Sequence, residues 1–162
     1  MGAGRLRALV VGLGNTILTD DGVGIYVVQE AAARCQRADV AFRQASVGGL
    51  RLLDVIVGFE RVILVDAIQT LGGRSGNILR LHPNDLVTSL HAGSTHDVSL
   101  PGALALGRGL GMVLPDDDHL VIIAIEVEDV LTFSEACTPV VAAAISSAVD
   151  VVLAEVEAGA LG

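Results

Sequence analysis

Ala8-Leu-Val-Val-Gly-Leu-Gly-Asn15 decides the fold. An unbroken apolar run closed by Gly14 and Asn15 predicts a strand covered on both faces, because a strand with one wet face alternates apolar and polar residues. The pattern recurs further along. Residues 40–45 predict a shorter strand, 61–67 a strongly β-branched strand that ends on Asp66, 77–81 a strand at an edge or running antiparallel, and 120–125 a last buried strand. Between these runs the apolar period becomes helical: from Val23 to about Cys35, over 50–57 behind the Gly48-Gly49 turn, and along a face of Leu100, Ala103, Leu104 and Leu110 capped by Ser94 or Thr95. Pro101 is compatible with that third helix only in its first turn, where amide donors lack partners. Thr138-Pro139 opens a closing helix to about Glu157, with the hydroxyl as cap and proline at the first helical position.

Strand and helix thus alternate along one chain, 1–162, of single-domain length. This predicts an α/β fold: a three-layer sandwich with a largely parallel, twisted sheet of about five strands and helices on both faces. The core is made of small branched side chains, since 52% of residues are hydrophobic and only 2% aromatic.

Net charge is −9 and all ten basic residues are arginine. An acidic surface without a basic stripe excludes nucleic acid as a partner, and the absence of lysine excludes a Walker-type phosphate loop and Schiff-base chemistry. It also excludes a phosphoacceptor receiver domain, which needs a lysine near its last strand. No continuous apolar run reaches the 18 or so residues that span a bilayer, so no membrane span and a cytoplasmic location are expected. Cys35 and Cys137 are isolated and read as free thiols.

Ligands of open α/β sheets bind beyond the carboxyl ends of the strands. Asp20 and Asp21 follow the first strand, Asp66 closes the third, and His96 stands at the entrance to a helix among Ser94, Thr95 and Asp97. An ionised Asp66 straight after Val62-Ile-Leu-Val65 is costly unless water, a partner or a cation receives it. The alternative is a carboxylate that caps nearby backbone amides. Two carboxylates and an imidazole make a mixed N/O set suited to Zn²⁺, Ni²⁺ or a similar ion, with positions left open for substrate. Gly12 and Gly14 resemble half of a dinucleotide fingerprint, but phosphate there meets Asp20 and Asp21, so no nucleotide is expected.

Gly12-Leu-Gly-Asn-Thr-Ile-Leu-Thr-Asp-Asp-Gly-Val-Gly24, the strand Val62-Ile-Leu-Val-Asp-Ala67, the stretch Ser94-Thr-His-Asp-Val-Ser-Leu100 and the Thr138-Pro139 helix start together resemble the hydrogenase maturation endopeptidases, over essentially the whole chain. The resemblance implies a peptidase that removes the C-terminal extension from the precursor of a nickel-iron hydrogenase large subunit after nickel insertion. It also implies that Asp21, Asp66 and His96 are the metal-engaging and catalytic residues. The divalent metal is then the nickel of the precursor, and Zn or Cd is expected in its place in a crystal. Family members commonly carry Glu where this chain has Asp21, and many carry Asp-Gly-Gly-Thr where it has Gln44-Ala-Ser-Val47. Asp20 or an unliganded carboxylate is the candidate general base, and the loops 126–136 and 83–95 are expected to flank the site and touch the precursor tail. The alternative function is a non-catalytic maturation chaperone that senses the nickel site.

Overall fold

The apolar runs become one sheet. In the computed structural model, which describes residues 7–87 and 99–159, the strands are β1 (Ala8–Leu13), β2 (Val40–Ala45), β3 (Arg61–Ile68), β4 (Ile78–Leu81) and β5 (Leu120–Glu126). Their order is β2-β1-β3-β5-β4; the first four are parallel and β4 is an antiparallel edge. The helices are α1 (Val23–Arg34), α2 (Leu50–Ile56), α3 (Leu100–Gly109) and α4 (Pro139–Ala158).

Alternation of side chains along each strand sends the sheet's apolar residues to two separate cores. Val10, Ile63, Val65, Ile123 and Ile125 meet Val23 and Val27 of α1 and Val149 and Val152 of α4. Leu9, Val11, Leu64 and Ile122 meet Leu52, Leu53 and Ile56 of α2 and Ala103 and Leu104 of α3. The result is the expected three-layer α/β sandwich.

Several local expectations change. The cap of α3 is Ser99, whose hydroxyl accepts from the Gly102 amide at 3.3 Å; Ser94 and Thr95 lie outside the described residues. Leu110 is not on the buried face of α3: it follows the last helical turn and is largely exposed. Thr138 occupies the N-cap position of α4, yet its hydroxyl makes no cap bond. Moreover α4, at 20 residues with a mean hydropathy of 1.8, is long and apolar enough by length and composition to cross a membrane. Asp150 and Glu155 interrupt its apolar run, which is why a search for continuous runs passes over it. One side of α4 is laid on α1 and the sheet, and its buried Glu155 pairs with Arg61 at 2.7 Å and with Arg80.

Candidate active site

The connection after β1 leads through α1 to β2 on one side of it, whereas β3 pairs on its other side, and α1 and α2 pack on opposite faces. The carboxyl ends of β1 and β3 therefore border the point where strand order reverses, the natural crevice of an open α/β sheet. Close backbone approach builds its floor. A Cβ at Gly24, in the first turn of α1, would lie 2.3 Å from the Val65 carbonyl oxygen and 2.7 Å from that of Leu13. Gly14, with φ of +136°, would place one 1.9 Å from the Asp21 carbonyl oxygen. The glycines of the first motif thus let α1 and the turn before it settle directly onto the strand ends.

Asp66 faces this crevice from within β3, opposite Ala124 of β5, and the strand continues to Ile68 rather than ending on the acid. Its Oδ1 accepts from the Ala67 amide at 2.8 Å. Asp21 comes from the short 3-10 turn Thr19–Gly22, and its Oδ2 accepts from the Asn15 amide at 3.0 Å. Loss of solvent around Asp66, and then the charge of Asp21, raise the Asp66 carboxyl to about 7 against the single backbone amide. Burial likewise lifts Asp21 above the usual carboxylate range, opposed by the Asn15 amide. Asp66 thus responds to the charge of an acid from a distant part of the chain, and each of the two has one oxygen anchored to backbone.

Asp20 has a different place from the one expected of a base. It is fully buried, and its carboxylate accepts from the amides of Thr138 at 2.7 Å, Asp129 at 3.1 Å and Glu128 at 3.2 Å, and from the Thr138 hydroxyl. That carboxylate is a knot between the 3-10 turn and the chain after β5, with no oxygen turned to substrate. Here too is the reason Thr138 fails to cap α4. Glu126 is also internal: it closes β5, buried, and accepts from the Thr70 hydroxyl and, at 3.3 Å, from the Thr70 amide. Asp129 likewise braces its own turn, Oδ1 accepting from the amides of Leu131 and Thr132 at 3.0 and 2.9 Å, whereas Glu128 and Glu135 of the same segment are exposed.

His96 lies outside the described residues, as does most of the 83–95 loop; within it Pro83–Val87 forms a 3-10 turn. Among the described residues no group of three His, Cys, Asp or Glu side chains is placed to hold a metal ion. Cys137 is a free thiol pushed up to about 11 by burial and by the Asp20 charge, so it supplies no thiolate nucleophile at neutral pH. The Gln44–Val47 stretch is tied to the floor of the crevice: Ser46 Oγ donates to the Gly14 carbonyl at 2.9 Å.

Residues 25–155 match the model of the hydrogenase maturation protease family, HycI. The chain is 28% identical to the hydrogenase 2 maturation protease of Escherichia coli K12 over 109 residues, 65% of this chain and 66% of that protein. The structure of the hydrogenase maturating endopeptidase HybD from E. coli superposes with a TM-score of 0.79 at 28% identity, covering 94% of this chain and 93% of that one. A hydrogenase 2 maturation peptidase from a Thaumarchaeota archaeon gives 0.63 at 28% identity over 93% and 98%. With a family model spanning most of its length and the same fold in these relatives, the chain belongs to the hydrogenase maturation protease family and is a peptidase.

Proposed function

We propose that this enzyme removes the C-terminal extension of a nickel-iron hydrogenase large-subunit precursor once nickel has been inserted, and that Asp21, Asp66 and His96 engage that nickel. The observation that carries the reading is the Asp21–Asp66 pair at the strand-order reversal, two carboxylates whose proton affinities are raised by burial and, at Asp66, by the neighbouring charge. Such a pair favours a cation between its members, because the cation relieves both repulsion and lost hydration. Anchoring of one oxygen of each acid to a backbone amide leaves the other oxygen for the crevice. The relatives' names supply the substrate class, hydrogenase.

His96 stands three residues before Ser99 in sequence. The chain just after α3 lies at the amino ends of the strands, where the Val113 carbonyl accepts from the Gly58 amide ahead of β3 at 2.8 Å, so α3 runs against the strands and its Ser99 end belongs to the edge of the two acids. An imidazole from this entrance completes a set of two oxygens and a nitrogen that suits Ni²⁺.

Nickel held by these residues would supply Lewis acidity for the cleavage. The chain's own part is to hold the precursor and to accept the proton of the attacking water. With Asp20 fully engaged by hydrogen bonds, that proton goes to whichever of the Asp21 and Asp66 carboxylates is not liganded to the nickel at that step. We place the reaction in the cytoplasm, before assembly of the hydrogenase.

Incubation with nickel-loaded and nickel-free precursor, followed by intact-mass spectrometry, tests the reading. Shortening of the loaded precursor alone, abolished in Asp66→Asn, is expected. Binding without shortening leaves the chaperone function instead, and shortening by Asp66→Asn at the native rate removes Asp66 from the chemistry.

A further inference from the structure

The segment after β5 holds two large apolar side chains in the open on an anchored backbone. It is bonded firmly to the chain around it: Asp129 closes its own turn, the Thr132 carbonyl accepts from the Thr19 hydroxyl at 2.6 Å, and the Ser134 amide donates to the Ile17 carbonyl at 3.0 Å, while Glu128 and Glu135 stay exposed. Val127 and Val130 pack against the core, but the next two large apolar side chains point outward. Leu131 is 84% and Phe133 80% exposed, with Ile17 partly exposed on the chain bonded to it. The chain has only three phenylalanines, and the other two, Phe42 and Phe59, pack against the cores, so an exposed Phe133 is a departure from the molecule's own rule. Loops that display apolar groups by accident are mobile and shed them inward. This one is held by the buried Asp20 and by the Thr19 and Ile17 bonds to the very turn that carries Asp21.

We propose that Leu131 and Phe133, with Ile17 beside them, form a rigid apolar ridge on which the enzyme seats its polypeptide substrate, gripping apolar side chains of the precursor next to the site. The assignment rests on reading the Asp21–Asp66 crevice as the active site. A peptidase must hold the chain on the sides of the bond it cuts, and the ridge is continuous with the crevice through residues 17–21. At Leu131 and Phe133, the most exposed large apolar residues of this wall, apolar contact is the handle it offers. Exposed aromatic and aliphatic groups on a preorganised platform are the usual anchors of protein recognition.

The test compares the full-length enzyme with Leu131→Ser/Phe133→Ser, using nickel-loaded large-subunit precursor. A rise in KM of roughly tenfold or more is expected, with unchanged thermal unfolding and unchanged Zn²⁺ titration of the crevice. Phe133→Leu should keep most of the native KM. Leu110→Ser/Val113→Ser, which removes exposed apolar groups from the far end of α3 and the segment after it, should leave KM as it is. An unchanged KM in the ridge variant overturns the proposal, as does an equal rise in the control pair. Loss of self-association in sedimentation with KM unchanged also overturns it, and makes the ridge a contact between copies. Cleavage that survives Asp66→Asn defeats the active-site reading instead, and the KM of the ridge variant still reports on the ridge.

Discussion

Asp20 and Thr138 are 118 residues apart, yet the Asp20 carboxylate takes the Thr138 amide at 2.7 Å and its hydroxyl at 2.9 Å. The residue that stands where a helix cap belongs gives its hydroxyl to an acid from the other end of the chain. This contact sets the position of the 3-10 turn beneath Asp21 and of the start of α4 at once.

Replacing Asp20 by alanine strands three backbone amides and a hydroxyl in the interior, where each unmade bond to a charged acceptor is costly. A loss of about 3–5 kcal/mol is expected, against about 1 kcal/mol for Thr138→Val, which removes only the hydroxyl. Urea denaturation at neutral pH measures both. A cost for Asp20→Ala no larger than that for Thr138→Val would mean that the knot does not hold the loops.

Stability should fall as pH rises toward neutrality, through Asp66. Its folded-state carboxyl lies near 7, above the unfolded value of 3.8, so the native state binds the proton more tightly and the contribution is complete below about 4. It is lost progressively as pH climbs to about 7. Asp66→Asn removes this dependence, so the variant gains on the native protein between pH 4 and 7.5 in denaturant titrations; parallel curves would show that Asp66 does not titrate in that window.

Asp21→Asn should lower the Asp66 carboxyl, because the Asp21 charge is the second cause of its rise, while burial, the larger cause, keeps it above 3.8. Carboxyl-carbon NMR titration reads the change directly. Zn²⁺ or Ni²⁺ affinity of the native protein should increase with pH up to about 7, since the metal competes with the Asp66 proton, and should drop in either single variant. Calorimetry that finds affinity flat across this range would separate metal binding from Asp66.

Gly24→Ala should unfold the protein or shift α1, as its methyl would press on the backbone oxygens of Val65 and Leu13, which have no room to yield. Gly58→Ala is the comparison: φ is +87° there but nothing lies within 4 Å, so the strain of about 1 kcal/mol is its whole effect. Melting temperatures of the two variants decide; similar values would show that α1 does not rest on the strand ends as described.

The layers were legible in the sequence because burial on two faces leaves an unmistakable apolar run, and the five strand positions follow from it to within a residue or two. Asp21 and Asp66 were legible as acids at strand ends, where an unpaired charge needs a reason. Less visible was the direction of short polar side chains. Whether Thr138 caps its helix or reaches Asp20, and whether Glu126 and Asp129 face solvent or brace a turn, depends on contacts between residues more than fifty positions apart or on loop geometry that no period encodes. The exposure of Leu110 had the same origin: the helix ends one residue before it, so helical spacing no longer predicts where it points.

Because α1 and α2 leave the sheet on opposite faces, the crevice between β1 and β3 is walled by connections rather than by either packed core. A longer or shorter carboxylate at position 21 is accommodated in such a place without repacking a layer. Side chains at this edge can therefore be exchanged while the scaffold beneath stays the same, a latitude that the packed layers do not share.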